Sequence, residues 1–132
     1  MDRKKILIVE DDKMLCTIFE MFLKEIGHEI TSISRTGTDA IESCKENPPH
    51  VVLMDIHLAG EIDGIEAARQ IGEKYDIPVV YITGDTDRLT IEKSVLENTY
   101  GYMLKPLYKK NLEITLEFAY LKHQYIISQR KK

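Results

Sequence analysis

Apolar and polar positions along the chain fall into two alternating patterns. Three short runs are almost wholly apolar: Ile6-Leu7-Ile8-Val9, Val51-Val52-Leu53-Met54 and Val79-Val80-Tyr81-Ile82. A fourth, Gly101-Tyr102-Met103-Leu104, is similar. Continuous apolar runs of this length suit strands buried on both faces, as in the middle of a parallel sheet. Residues 28–34 alternate instead and are β-rich, which predicts a more exposed strand. Between the strands the spacing changes to that of helices. From Lys13 to Ile26 the apolar positions Met14, Leu15, Ile18, Phe19, Phe22, Leu23 and Ile26 trace one helical face, with Asp12 as N-cap and Gly27 as C-terminal cap. Further helices are predicted over 36–46, ended by Asn47-Pro48-Pro49, and over 65–73, with Asp63 as cap. A weakly amphipathic helix is expected over 86–97, with Leu89, Ile91, Val95 and Leu96 apolar, and a final one from about 108 to about 128.

Strand and helix thus alternate five times, which predicts an α/β protein with a five-stranded parallel (βα)₅ sheet and short connections. In such a sheet every strand delivers its last residue to the same edge. Strand one ends in Glu10-Asp11-Asp12, strand three in Asp55, strand four in Thr83-Gly84 and strand five in Lys105-Pro106. Strand two ends in nothing comparable, as expected of an edge strand. Asp12 and Asp63 are read mainly as helix caps. The remaining acids would repel one another unless a hard cation offsets them, and an all-oxygen cluster suits Mg²⁺. A lysine and a hydroxyl opposite them suit the oxygens of a phosphoryl group. A carboxylate beside the metal can act as nucleophile towards phosphorus.

Composition narrows this only a little. The 132 residues are one domain by size, and a net charge of −4 argues against a general nucleic-acid binder. No apolar run is long enough to span a bilayer and the N-terminus is too brief for a signal peptide, so the expected location is cytoplasmic with no membrane insertion. Cys16 and Cys44 lie inside helical patterns without metal-ligand spacing and are read as buried thiols.

The motifs ILIVEDD (6–12), VVLMDIHLAGEIDGIEA (51–67), VVYITGD (79–85) and GYMLKPL (101–107) together resemble the receiver domain of two-component response regulators. The resemblance implies a flavodoxin-like, doubly wound fold over residues 1–125, with 126–132 as the end of the last helix and a solvated tail. It implies Asp55 as phosphoacceptor and Mg²⁺ as cofactor, with Mn²⁺ able to substitute. Asp11 and Asp55 would be metal ligands, Glu10 would reach the metal through water, and His57 would offer its backbone carbonyl. Lys105 and Thr83 would hold phosphoryl oxygens, Thr83 and Tyr102 would form the switch, and the Lys105–Pro106 bond would be cis. A sensor histidine kinase or phosphotransfer domain is the implied partner, a homodimer through helix four, strand five and helix five a further one, and direct nucleic-acid contact is not expected. The domain would modify itself rather than turn over external substrates. A haloacid-dehalogenase-type hydrolase would need a second aspartate where His57 stands.

Two regions depart from the pattern. Leu58-Ala59-Gly60 replaces the Met-Pro common after the acceptor, and the loop to Asp63-Gly64 is one residue longer. His57 and Asp85 occupy positions where the family varies; His57 is read as an inert surface histidine rather than a general base. On the last helix, Leu112, Leu116 and Ala119 form one stripe and Ile114, Phe118, Leu121 and Tyr125 a second. The second is either an exposed surface for a dimer or a following module, or part of a wide buried face; its two to three heptads are too few to define a coiled coil from sequence. A stand-alone regulator and a receiver within a longer protein both fit.

Overall fold

A computed structural model of the chain describes residues 2–84, 88–95 and 97–130. The elements, in order, are β1 (Lys5–Val9), α1 (Lys13–Ile26), β2 (Glu29–Ser34), α2 (Gly37–Glu46), β3 (Val51–Asp55), α3 (Gly64–Tyr75), β4 (Val79–Thr83), α4 (Arg88–Val95), β5 (Thr99–Leu104) and α5 (Lys109–Arg130). All five strands are parallel, in the order β2-β1-β3-β4-β5, so the direction of winding reverses between β1 and β3. The carboxyl ends of those two strands flank the crevice where open α/β sheets bind ligands.

The sheet separates two apolar layers. Ile6, Ile8, Leu53 and Val80 meet Phe19 and Leu23 of α1 and Leu112, Leu116 and Ala119 of α5. Leu7, Val9, Val52, Met54 and Tyr81 meet Ala40 and Cys44 of α2 and Ala67, Ala68 and Ile71 of α3. β3 and β4 are buried along their whole length, because helices cover both of their faces. Both cysteines are free and buried. Among the described residues no helix is long and apolar enough to cross a membrane.

The ends of the elements show what the sequence pattern blurs. Asp12 caps α1 by accepting from the backbone N–H groups of Met14 and Leu15, and Asp63 caps α3 through Glu66. Gly27 takes the left-handed conformation at φ 102°. His28, expected in the second strand, instead donates its N–H to the Leu23 carbonyl at 2.9 Å, completing the helix cap. β5 begins two residues earlier than expected, with a register shift opposite Val79/Val80. α3 continues to Tyr75 and is stopped by Asp76 rather than glycine, at φ 53°. The carboxylate of Asp76 accepts from Arg130 at 2.6 Å and stands 3.2 Å from Nε2 of buried His123. Arg130 thus makes an ion pair with its own chain while staying exposed, and α5 runs two residues further than expected. The expected start of the fourth helix at Thr86, its apolar Leu96, Asp85 beside the site, and Lys131 and Lys132 lie outside the described residues.

Candidate functional site

Strand register assembles the site. Val9 lies beside Met54, so the next residues, Glu10 and Asp55, are neighbours. Asp55 lies beside Ile82, and Thr83 beside Leu104, which brings Thr83 and then Lys105 into the same row. Glu10, Asp55 and Thr83 are 1 %, 5 % and 0 % exposed, so two carboxylates and a hydroxyl are held out of bulk water. Ligand oxygens of Glu10, Asp11 and Asp55 lie within 4.8 Å of one another.

Hydrogen bonds fix this arrangement. The Asp55 Oδ1 atom accepts from the His57 backbone N–H at 3.1 Å, and Glu10 Oε2 accepts from the Asp12 N–H at 3.2 Å. The Lys105 ammonium stands 3.4 Å from Asp55 Oδ2 and 3.2 Å from Glu10 Oε1. The Lys105 backbone N–H donates to the Thr83 carbonyl at 2.8 Å. The Lys105–Pro106 peptide is cis. Tyr102 is half-buried on β5, its ring centroid 6.5 Å from that of Tyr81.

The electrostatics are those of crowded carboxylates. Burial, reinforced by the Asp55 charge, raises the Glu10 carboxyl to about 7, against the pull of the Asp12 hydrogen bond and Lys105. Burial alone would lower the Lys105 ammonium, but Asp55 and Glu10 outweigh it and raise it. Glu10 Oε1 is buried and, although near Lys105, has no aligned hydrogen-bond donor among the described residues. A buried carboxylate oxygen without a donor, inside a three-carboxylate cluster, is a place for a hard cation or its bound water. The residues present therefore fit Mg²⁺.

The sequence-predicted groups Glu10, Asp11, Asp55, His57, Thr83 and Lys105 thus converge, with Tyr102 set back from them within β5, beside Tyr81. Three further contributors were not legible. Arg35, one residue past β2, donates from Nη2 to the Asp11 carbonyl at 3.1 Å, so the second strand does supply a group to this edge. The feature of the sequence that marks it is a lone arginine directly after the second strand, which only the fold brings to the acids. Gly64 is the second. A Cβ there would overlap the Asp55 carbonyl oxygen, so α3 starts in direct contact with β3. Third, the longer loop is pinned: Gly60 has φ 110°, and Ile62 packs into the α2–α3 layer so closely that a Cβ on Gly37 would lie 2.8 Å from its Cγ1.

Known proteins give the same picture. The family model of the response regulator receiver domain matches residues 6–117. The signal receiver domain of a modulated diguanylate cyclase from Desulfovibrio desulfuricans G20 is 27% identical, with a TM-score of 0.89 over 94% of this chain and 98% of that one. The N-terminal domain of a response regulator/sensory box/GGDEF 3-domain protein from Carboxydothermus hydrogenoformans is 32% identical, with a TM-score of 0.84 over 94% and 99%. A LuxR-family DNA-binding response regulator from Staphylococcus aureus is 28% identical, with a TM-score of 0.82 over 89% and 98%. With a site built on these strand ends, on a sheet of this order, the chain belongs to the family of response regulator receiver domains.

Proposed function

We propose that the domain accepts a phosphoryl group on Asp55 from a phosphohistidine of a sensor histidine kinase or phosphotransfer domain. The observation that carries this reading is the buried Asp55 carboxylate facing the Lys105 ammonium and flanked by Glu10 and Asp11. An Asp55 oxygen attacks phosphorus, the P–N bond breaks, and its electron pair leaves on the imidazole nitrogen, which takes up a proton. Lys105 offsets charge on the entering oxygens, Thr83 donates its hydroxyl to one of them, and the His57 N–H holds Asp55 in place. Mg²⁺ (or Mn²⁺), held by Asp11, Asp55 and the His57 carbonyl, with Glu10 through water, neutralises charge when bound. The product is an acyl phosphate on the protein itself, so the domain is a switch rather than a turnover enzyme. Its kinase partner sets the cytoplasm as its place of action, and residues 1–125 form the receiver unit, with 126–132 as the end of the last helix and its tail.

Labelling tests the reading. With Mg²⁺ and acetyl phosphate, the chain should gain one acid-stable, base-labile phosphoryl group per molecule, located at Asp55 and lost when the metal is chelated. Release of phosphate from many unrelated esters would instead favour a hydrolase.

The Glu10 carboxyl supplies a pH test. Its pKa in the metal-free fold, about 7, lies above the ordinary value of 4.5, so the native state binds the extra proton across that window. Metal-free stability therefore falls as pH rises from about 4.5 to about 7. Metal favours the ionised form, so the apparent Kd for Mg²⁺ should fall about tenfold for each pH unit of rise up to about pH 7 and level off above it. Calorimetric titrations giving the same affinity at pH 5.5 and 7.5 would contradict this.

Output is read on the face formed by α4, β5 and α5, where Leu89, Val95, Leu104 and Phe118 are exposed and where a second copy can dock. Tyr102 on β5 couples that face to Thr83. A Tyr102→Ala protein should be phosphorylated at the normal rate but lose most of its phosphorylation-dependent change in partner affinity. Unchanged coupling would remove Tyr102 from the switch.

A further inference from the structure

The three acids of the cluster are not held alike. The Asp55 carboxylate accepts from the His57 N–H, and the Glu10 carboxylate accepts from the Asp12 N–H. The Asp11 carboxylate accepts no hydrogen bond among the described residues, and Asp11 is only half-buried. Two buried carboxylates stand within 4.8 Å of it. Without a cation, their repulsion pushes this side chain towards water. A group that keeps Asp11 in place therefore has to act on its backbone.

Arg35 is placed to do so. Its Nη2 donates to the Asp11 carbonyl at 3.1 Å, and among the described residues no other group donates to that oxygen. Such a clamp needs its far end fixed, and both neighbours of Arg35 are. Val9 lies beside Ser34, so Arg35 follows as the neighbour of Glu10 in the row of strand ends. On one side of it the Ser34 carbonyl accepts from the Glu10 N–H at 3.0 Å. On the other side Thr36 caps α2, accepting from the Asp39 N–H at 3.1 Å, and Gly37 is buried against Ile62 and Ala67. The Arg35 side chain itself is exposed, so its bond to the turn is what it contributes, rather than packing.

We propose that Arg35 is a positioning residue for the cation site: it holds the turn between β1 and α1 so that the Asp11 carboxylate meets Mg²⁺ already oriented. The inference rests on the reading of Glu10, Asp11 and Asp55 as a Mg²⁺ site, and adds the second strand to its support. Its charge and its hydrogen bond act on a cation in opposite directions, which makes the role separable. A guanidinium near the site repels the cation, so loss of charge alone tightens binding. Loss of the clamp weakens it. Partners that orient a metal ligand are worth about 10- to 100-fold in affinity, and an exposed one falls near the lower end.

Calorimetric titration of the full chain with Mg²⁺ tests this. In about 0.5 M salt, where exposed charges are screened, Arg35→Ala should raise the Kd about tenfold. Arg35→Lys, which keeps a donor of similar reach for a single carbonyl, should stay within about threefold of wild type. The Mg²⁺ concentration for half-maximal labelling by acetyl phosphate should move with the Kd in each variant. Metal-free melting of both should stay within about 2 °C of wild type, because the side chain is exposed. An Arg35→Ala protein that binds Mg²⁺ as tightly as wild type, or more tightly, overturns the proposal. So does a lysine variant that loses as much as the alanine variant, a metal-free Arg35→Ala melt far below wild type, or a wild type without affinity for Mg²⁺. Weakened Mg²⁺ binding in Arg35→Ala beside a wild type that takes no phosphate on Asp55 would instead sink the acceptor and leave the clamp.

Discussion

The Asp55→Asn protein, given Mg²⁺ and acetyl phosphate, is expected to keep its unmodified mass under conditions where the wild-type chain gains one phosphoryl group. The reason is local. An amide keeps an acceptor oxygen for the His57 N–H, now 3.1 Å from Oδ1, so the backbone around the site has no cause to move. It has no anionic lone pair to offer phosphorus and no charge for a cation or for Lys105, now 3.4 Å from Oδ2. Glu10 and Asp11 remain, but Glu10 is 1 % exposed and faces Lys105 from the neighbouring strand. Loss of a nucleophile in a fixed geometry costs at least about 10³-fold in rate. Far-UV circular dichroism should show an unchanged fold. A base-labile adduct that persists in this variant would move the acceptor elsewhere. The same substitution removes a charge that raises the Glu10 carboxyl, so Glu10 should titrate at lower pH in it than in the wild type.

The largest expected loss of stability comes from one methyl group, in Gly64→Ala. Gly64 opens α3, its N–H donating to the Ile56 carbonyl at 2.9 Å. A Cβ would overlap the Asp55 carbonyl oxygen and sit 2.9 Å from the Ile56 Cα. Both neighbours are backbone, and β3 is clamped between β1 and β4, so neither can give way. Either α3 moves outward, opening the packing of Ala67, Ala68 and Ile71, or the end of β3 is displaced together with Asp55. The cost is about 3 kcal/mol, or roughly 10 °C in Tm for a domain of this size. A thermal melt within about 1 °C of wild type would mean the contact relaxes without cost. Phosphorylation should slow as well, since the acceptor shares the displaced backbone.

What was legible in the sequence followed from continuous patterns. The apolar runs 6–9, 51–54 and 79–82 marked strands buried on both faces, and the acids and lysine after them met at one edge because parallel strands leave no other arrangement. Caps at Asp12, Asp63 and Gly27 were legible because each is a residue type with a local reason to be there. What escaped depended on distance in space. Arg35 reads as a surface arginine until β2 places it beside the Asp11 carbonyl. Gly64 reads as a turn former, and the demand for a missing side chain exists only once α3 lies on β3. The end of α3 was misjudged because an aspartate, not a glycine, takes the left-handed position, held there by groups 47 and 54 residues away. The exposed α5 stripe could not be told from a wide buried face, since periodicity gives angles around a helix and not which side meets the sheet.

Asp76 has a mechanical consequence. α3 and α5 lie on opposite faces of an open sheet, yet this one carboxylate joins the last turns of α5 to the C-cap of α3 through His123 and Arg130. A pull or twist applied at the far end of α5 is carried along that tie into α3 as well as into the sheet beneath. α3 is a stiff rod whose other end, Gly64, rests on the carbonyl of the phosphoacceptor. The two ends of the molecule are thus connected by a load path that bypasses β4 and β5.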